Sequence, residues 1–455
     1  MRKKRTRMNK DLTVGDPFKV LAKFCLPLFG SIIFQQLYNI ADSAIAGRFA
    51  GEQALAAVGS NGSMINLLTN FFMGLSVGAN VLVARYFAAQ KKAALHRTIH
   101  TAMMLSLLSG LFLTVAGLLG AKQILIWMKS PSDVLPLATL YLRLYFLGMV
   151  PMMIYNFGSA ILRAVGDTKR PLYFLSLAGV INVILNLLFV IGFRMSVAGV
   201  AIATVLSECI SAVLIVRCLI KETGEIHLDI GSLRVDWQVF AQLLKIGLPA
   251  SVQGMIFSFS NVIIQSSINS FGTTIMAGNS AAMNIEGFVY MAMNTFYQAS
   301  LSFTSQNYGA GKKERINRIL LDAQLCVITV GVLMGGGVVL LGRPLLSFYT
   351  SSTPAVEAGF VRLEVICLSY ALCGMMDVLV GSLRGLGHSI LPMLVSIAGV
   401  CGIRLVWIFT AFRLPEYHTA FSLYMTYPVS WAITIMAHAI CYGIVKKRLV
   451  RTTPI

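Results

Sequence analysis

Twelve long apolar stretches constrain this chain more than any other feature of its sequence. Each is roughly 20 residues or longer, which is the length that a helix needs to cross the hydrocarbon core of a bilayer. Helices are expected because an open sheet would leave backbone polar groups unpaired in lipid. Of the 455 residues, 56% are hydrophobic and only 12% are charged, about half the charged share of ordinary soluble domains. We therefore predict an all-α integral membrane domain that leaves no room for a soluble catalytic domain. The predicted spans are 24–47, 56–82, 98–127, 136–162, 172–193, 196–220, 242–268, 276–303, 317–349, 358–383, 390–412 and 421–445.

The basic residues fall mainly on one side of these spans. The chain has a formal net charge of +19, which by itself could suggest nucleic acid as a partner. Most of its 37 Lys and Arg, however, lie in the N-terminal arm "MRKKRTRMNK", in alternate loops and in the C-terminal "KKRLVR". This asymmetry is typical of the positive-inside rule. It predicts two cytoplasmic termini and attraction to anionic membrane lipids, and it argues against nucleic-acid binding.

The chain also repeats itself at a fixed distance. "RYFAAQKK" at 85–92 matches "QNYGAGKK" at 306–313, and "LRAVGDT" at 162–168 matches "LRGLGHS" at 383–389, both offset by 221 residues. Six spans per repeat is an even number, so the two repeats are predicted to be parallel, with a substrate cleft between two lobes. The predicted organisation is a basic arm at 1–23, an N-lobe at 24–220, a cytoplasmic connection at 221–241, a C-lobe at 242–445 and a tail at 446–455.

The first span carries polar residues where lipid-facing residues would be apolar. In "FQQLYNIADSAIAG" the polar positions recur at helical spacing, and Asn182 and Asn186 share one face of the fifth span. Buried oxygens of this kind suit a proton or a hard cation, although asparagines also form structural hydrogen bonds between helices. The predicted coupling residues are Asp42, Asn182, Asn186, Thr204, Gln35 and Asn39, with Tyr38 beside them as a substrate contact.

The eighth span carries a second polar stripe of another kind. It consists of Glu286, Tyr290, Met293 and Tyr297 at i, i+4, i+7 and i+11. A carboxylate, aromatic rings and a thioether together suit a lipophilic organic cation. A stripe of Met and aromatic residues is also compatible with plain helix packing, and the charge is what favours binding.

Further charged residues lie in the tenth and eleventh spans. Asp377 occupies the place that Asn156 has in the first repeat and is predicted to bind substrate. Arg404 is an alternative, structural partner for one of the buried acids. Arg362 and Glu364 are expected near the outer membrane surface.

Other chemistry is not supported by the sequence. "GAGKKE" at 309–314 lacks the spacing and the Ser/Thr of a phosphate-binding loop. The six histidines form no zinc motif, and the eight cysteines, without CxxC, resemble small buried apolar residues. We expect no enzyme activity and no cofactor beyond a coupling ion.

Several segments together resemble the multidrug and toxic compound extrusion (MATE) transporters. They are "QQLYNIADSAIAGRFAGEQALAAVG" in the first span, "LRAVGDTKRP" and "LRGLGHSILP" after the fourth and tenth, and "GVAIAT" entering the sixth. The resemblance covers nearly the whole chain. It implies a V-shaped bundle of twelve helices that exports lipophilic, mostly cationic drugs in exchange for protons or sodium by alternating access.

The resemblance also implies a coupling site and shows where this chain departs from the family. Coordination in the N-lobe maps onto Asp42, Asn182 and Thr204, so that sodium is one possible ligand there. The acid that is common four residues after the asparagine is Asn186 here. The family's acids in the C-lobe do not match residue by residue, and "ARYFAA" replaces the usual "QxxGA" in the first half.

Two other functions stay open at this stage. A flippase for an isoprenoid-linked saccharide belongs to the same broad superfamily, but it should have a strongly cationic cavity, whereas the identifiable intramembrane charges are mainly acidic apart from Arg404. A non-transporting scaffold or receptor would show no ion-coupled flux. We expect a monomer in the bacterial plasma membrane.

Overall fold

Most of the residues that the structure describes are helical. The described residues are 11–45, 48–49, 52–128, 132 and 134–451. The side chains at 38–39, 43–44, 52–56, 58–60, 62–64, 66 and 449–451 are outside that description. The structure is a computed structural model. Its helices are α1 (Pro17–Ile45), α2 (Glu52–Ala88), α3 (Lys92–Trp127), α4 (Leu135–Leu147), α5 (Met149–Ala164), α6 (Lys169–Leu187), α7 (Ser196–Lys221), α8 (Trp237–Asn269), α9 (Thr273–Gly309), α10 (Lys313–Leu340), α11 (Gly342–Tyr349), α12 (Thr353–Gly385), α13 (Ile390–Ser396), α14 (Ile403–Phe409) and α15 (Ala420–Arg451). Leu188–Gly192 and Ile397–Gly402 are π-helical, and short 3₁₀ turns cover Ile230–Ser232, Ala411–Arg413 and Pro415–Tyr417.

Ten helical stretches of the described chain are long and apolar enough to cross a membrane. An eleventh is formed if α4 and α5, which meet at an angle of 46°, count as one broken span. The predicted span 276–303 lies within α9, which is a single helix but is too polar to be counted with the others. The prediction of an all-helical membrane protein is confirmed.

The described residues divide into two compact units, whose borders differ from those of the predicted lobes. One unit holds Asp11–Cys25 and the chain from Val252 onward, and the other holds Leu26–Ser251. Helices α1 and α8, the first of each repeat, therefore begin in one unit and end in the other. Pro27 and Pro249 lie inside these helices, close to the two crossing points. A proline removes one backbone hydrogen bond of a helix, so each crossing falls where the helix is weakest.

Close backbone packing holds the beginning of α8 in the unit of the first repeat. A Cβ atom added to Gly78 would lie 2.3 Å from the backbone oxygen of Leu243, and one added to Gly247 would lie 2.8 Å from the backbone of Leu75. Glycine is needed at both positions because any side chain would push α2 and α8 apart.

An aspartate and an arginine anchor the start of each of these two helices. Asp236 caps α8 by accepting hydrogen bonds from the backbone N–H groups of Gln238 and Val239, at 3.0 and 3.1 Å. Its second oxygen accepts from Arg97 Nη1 at 3.1 Å. In the other unit, Asp16 accepts from the N–H of Phe18 at 2.9 Å and lies 3.9 Å from Arg318. Arg97 and Arg318 are themselves 221 residues apart, so the anchors follow the internal repeat.

Candidate functional site

Asp42 lies at the centre of a small polar cluster inside the unit of the first repeat. It is on α1, and only 7% of its surface is exposed. Asn186 Nδ2 donates a hydrogen bond to Asp42 Oδ1, and Thr204 Oγ1 donates one to Asp42 Oδ2 at 3.1 Å. Asn186 also donates to Asn182 Oδ1 at 3.1 Å, while Asn182 Nδ2 lies 3.5 Å from Thr204 Oγ1. The structure thus brings four of the predicted coupling residues together.

Local helix geometry explains this convergence. Asn182 and Asn186 are one turn apart on α6, and both are fully buried. Thr204 is anchored to its own helix because its hydroxyl also lies 3.0 Å from the carbonyl oxygen of Val200. Immediately after Asn186, α6 changes into the π-helical segment Leu188–Gly192, a local distortion that is frequent at functional sites.

The surroundings of the cluster are mainly apolar. Buried side chains of α3, α4, α5 and α7 form the hydrophobic core of this unit, with Tyr141, Phe146 and Met153 among its larger members. Asp42 forms no ion pair with any residue that the structure describes. A carboxylate in such a setting is costly unless it carries a proton or meets a cation.

The oxygen atoms of the cluster suit a small hard cation. Two carboxylate oxygens, two amide oxygens and one hydroxyl are close together, and all are ligand types that sodium and other hard cations accept. Asn186 Oδ1 is buried and has no hydrogen-bond partner among the described residues. This unused acceptor is the observation that fits a cation or a proton donor at this place.

The remaining predicted residues of the first span add little to this site. The Gln35 side chain is half-buried and makes no hydrogen bond to a described residue. The side chains of Tyr38 and Asn39 lie outside the described residues, so their roles stay predictions.

Glu286, the predicted substrate-binding acid of α9, is held by an arginine. Arg362 donates to both of its carboxylate oxygens, through Nη2 to Oε1 and through Nε to Oε2 at 3.1 Å. Arg362 Nη1 donates to Asn279 Oδ1 at 2.9 Å, and Asn279 in turn donates to Gln265 Oε1 at 3.0 Å. The guanidinium lies 5.4 Å from the ring centre of Tyr424. An acid neutralised in this way has no free charge with which to attract an organic cation.

The expected position of Arg362 at the membrane surface is wrong. Only 3% of this residue is exposed, and its guanidinium is enclosed by α9 and α15. The physical reason is that a buried acid on a neighbouring helix stabilises a buried guanidinium, which spacing along one helix does not show. Glu364, two residues later on α12, is exposed, and its place near the outer membrane surface stays a prediction.

The other residues of the eighth-span stripe have different surroundings. Met293 is fully buried and packs against Gly374, whose added Cβ would lie 2.6 Å from the Met293 sulfur atom. Tyr290 is 44% exposed. The Tyr297 hydroxyl accepts a hydrogen bond from Arg384 Nη1 at 2.7 Å. The stripe therefore does not form one continuous surface.

Asp377 and Arg404 form no close ion pair with a described residue. Asp377 is half-buried on α12 and makes no hydrogen bond or ion pair with a described residue. Arg404 neutralises neither acid, contrary to that alternative. Instead it donates to Ser430 Oγ at 3.0 Å and lies 3.9 Å from the ring centre of Tyr427.

Sequence reasoning missed the partners of Glu286. Asn279 is fully buried one helix turn from Met283 and two turns before Glu286. The amide of Asn279 in an apolar helix was the sequence feature that could have indicated a polar partner. Gln265 and Tyr424 offered no such feature, because single polar residues on α8 and α15 are not distinctive.

Comparison with known proteins agrees with this architecture. The family model MatE matches residues 27–188 and 249–410, once in each repeat. The "Probable multidrug resistance protein YoeA" of Bacillus subtilis is 25% identical over 432 residues, covering 92% of each chain. The "Probable multidrug resistance protein YpnP" of the same organism is 28% identical over 379 residues, covering 83% of this chain and 84% of the relative. A solved structure described as "Crystal structure of MATE in complex with MaL6" superimposes with a TM-score of 0.89 at 20% identity, covering 98% of this chain and 99% of the other.

Proposed function

This chain belongs to the MatE family of multi-pass membrane transporters and is not an enzyme, and we propose that it is a secondary active antiporter. It exports lipophilic, mostly cationic drugs or toxic metabolites in exchange for protons or sodium, by alternating access. Membership and the names of the relatives, which are multidrug resistance proteins, support drug export. The residues of the Asp42 cluster support ion coupling.

One observation carries the coupling role. Asp42 is an almost fully buried carboxylate that is held by amides and a hydroxyl and by no basic residue of the described chain. Neutral donors leave the negative charge in place, so a proton or a sodium ion has a large electrostatic reason to bind. A permanent salt bridge would remove that reason.

Coupling then follows from linkage. If the cation and the drug favour opposite arrangements of the transporter, binding of each promotes release of the other. One elementary charge that moves inward through 100 mV supplies about 2.3 kcal/mol. This is comparable to roughly a 50-fold drug gradient. Because export of a monovalent cationic drug moves one charge outward, a net inward charge requires two coupling cations for each such drug.

Asp377 is the better of the two predicted acids for attracting the drug. It forms no close ion pair with a described residue, whereas Glu286 is paired with Arg362. The aromatic ring of Tyr290, exposed on α9, offers a face for cation–π contact. We propose Asp377 and Tyr290 as substrate contacts, with both termini cytoplasmic and the protein in a bacterial plasma membrane.

A specific observation favours the flippase as a second candidate. The expectation that intramembrane charge is mainly acidic apart from Arg404 is wrong, since Arg362 and Arg384 are also buried in α12. Neither Arg384 nor Arg404 forms an ion pair with a described acid. Two such guanidinium groups suit an anionic lipid-linked saccharide. Comparing dye flux with lipid-linked sugar flux in proteoliposomes distinguishes the two functions.

The coupling role is tested by replacing the carboxylate of Asp42. We expect Asp42→Asn to abolish ion-driven uptake of a fluorescent organic cation by inverted vesicles. The amide neither binds a proton at neutral pH nor neutralises the charge of a bound sodium ion. Glu357→Gln is the matched control, since it neutralises an acid whose side chain is 51% exposed. Undiminished ion-driven uptake by Asp42→Asn at wild-type protein levels would exclude the proposed coupling.

A further inference from the structure

We propose that a cleft beside the connection between the two repeats binds a phosphate group. The cleft lies between the first turns of α3 and the segment before α8, and its volume is about 340 Å³. That is at the lower end of the range for small-ligand sites, enough for a phosphate and a small attached group. Its lining includes His96, Arg97, His100, Thr101, Arg234 and Asp236. This site is separate from Asp42 and goes beyond drug export.

The wall of the cleft is fixed by hydrogen bonds between α3 and the connection. His100 Nδ1 lies 2.7 Å from the carbonyl oxygen of His96, and His100 Nε2 accepts from the backbone N–H of Asp229 at 3.0 Å. Both ring nitrogens of His100 are therefore occupied by backbone groups. The backbone N–H of Asp236 donates to Thr101 Oγ1 at 3.1 Å. The lining is thus held in place without a ligand.

Two acids of the connection, Asp229 and Asp236, are already satisfied. Asp229 accepts hydrogen bonds from the Gly231 N–H at 3.1 Å and from the Ser232 hydroxyl, and these bonds lower its pKa below the usual range. Asp236 caps α8 and accepts from Arg97. Backbone hydrogen bonds from Val239 and Gln238, with the charge of Arg97, lower its pKa as well. Both carboxylates are therefore committed acceptors.

The cationic side of the cleft, in contrast, has unused donors. Arg234 is exposed and forms no ion pair with a described residue. The His96 ring stacks on His100 with 3.9 Å between ring centres, and its nitrogens make no hydrogen bond to a described residue. Arg97 uses one nitrogen, Nη1, for Asp236. Guanidinium groups match phosphate oxygens with two parallel hydrogen bonds, so the open donors of this cleft select an oxyanion.

The second repeat offers an internal comparison. Residues 221 positions after His96, Arg97, His100 and Thr101 are Asn317, Arg318, Leu321 and Asp322. The arginine is retained, but both histidines are absent and an acid is added. Arg318 lies 3.9 Å from that acid. The contact between an arginine and the aspartate at the start of a helix is therefore common to both repeats, whereas the basic cleft is specific to the first.

The phosphate can belong to a soluble compound or to a lipid headgroup, and one experiment distinguishes these sources. The full-length protein is reconstituted in phosphatidylcholine vesicles, and hydrogen exchange of the backbone amides of residues 229–236 is followed. One arm adds pyrophosphate, and the other replaces part of the lipid with phosphatidylglycerol. We expect one of the two to slow exchange of this segment, because a bound phosphate bridges the connection and α3.

Two variants decide whether the protection comes from the cleft. Arg234→Gln should weaken binding of the protecting anion by about tenfold or more, since a hydrogen bond to a charged group is lost. Arg318→Gln, the change at the repeat-related arginine, should leave protection of residues 229–236 unaltered. Protection by neither anion, or equal protection in wild type and Arg234→Gln, would overturn the proposal. Protein that retains wild-type dye efflux is used throughout, so that a folding defect is not mistaken for lost binding.

Discussion

Asp42 and Glu286 are equally buried acids in the two units, yet their partners differ in kind. Each is 7% exposed. Asp42 is held by Asn186 and Thr204, which are neutral, whereas Glu286 is held by Arg362 through two charge-assisted hydrogen bonds. Burial alone therefore does not identify a functional acid in a membrane protein. The charge of the partner decides whether the acid is free to exchange a ligand or is a fixed part of the structure.

The largest expected difference between the two acids is in stability. Arg362→Met leaves Glu286 buried without its counter-ion, which we expect to lower the free energy of unfolding by about 3–5 kcal/mol. Asp42→Asn keeps the shape of the side chain and removes a charge that has no basic partner, so it should cost far less. Thermal unfolding of the purified variants in detergent measures both.

A double variant tests the explanation for that loss. Glu286→Gln combined with Arg362→Met removes both charges and should recover most of the stability. Breaking the exposed pair of Arg343 and Glu357, by Glu357→Gln, should cost far less, because water screens the pair. If Arg362→Met were no more destabilising than that control, the contrast between the two buried acids would fail.

A smaller effect distinguishes ligation from titration at Asp42. Thr204→Val keeps the side-chain shape but removes the hydroxyl that lies 3.1 Å from Asp42 Oδ2. The loss is worth about 1 kcal/mol, or roughly a fivefold change in the cation concentration at half-maximal efflux. For sodium this concentration should rise, because a ligand oxygen is lost. For protons it should fall, because the hydroxyl stabilises the deprotonated carboxylate.

Dye efflux at varied sodium and at varied pH provides this measurement. Ser211→Ala is a suitable control, since Ser211 lies on the same helix and bonds mainly to its own backbone, at the Glu208 carbonyl oxygen. An unchanged half-maximal concentration for both cations in Thr204→Val would contradict the assigned contact.

The smallest effect is expected at Asp236, a partly exposed acid that serves as a reference for the two buried ones. Backbone hydrogen bonds lower the pKa of Asp236 in the folded protein. A lowered pKa means that the carboxylate stabilises the fold above its ordinary pKa, and that this contribution disappears as the pH falls through the folded value. We expect Asp236→Asn to be slightly less stable at neutral pH and indistinguishable from wild type in strong acid. Melting temperatures across the acid range test this, and parallel curves at all pH values would contradict it.

Much of this architecture was predictable because it depends on patterns within single helices. The length of the apolar stretches predicts the helices, and the offset of 221 residues predicts two repeats. The family match, once in each half, confirms the two repeats. The Asp42 cluster was also within reach, because Asn182 and Asn186 share a face of α6 and stand out among apolar neighbours. Helix ends were less accurate: α12 begins at Thr353, five residues before the predicted span.

What could not be predicted depends on contacts between helices that are distant in the chain. Arg362 and Glu286 are 76 residues apart, and nothing in either helix identifies the other as its partner. The exchange of first helices between the units could not be predicted either. Pro27 and Pro249 indicate where the two helices are weak, but they do not indicate which unit each half of a helix joins. The basic cleft at Arg234 arises from a connection without periodicity, which pattern analysis treats as a linker.

The exchanged first helices have a consequence for fragments of this protein. The start of α1 packs in the unit built mainly from the second repeat, and the start of α8 packs in the unit built from the first. A polypeptide that ends at the connection therefore lacks the surface that its own leading helix needs. Separate halves expressed together can supply that surface to one another. We therefore expect two inactive fragments to restore activity when they are expressed together.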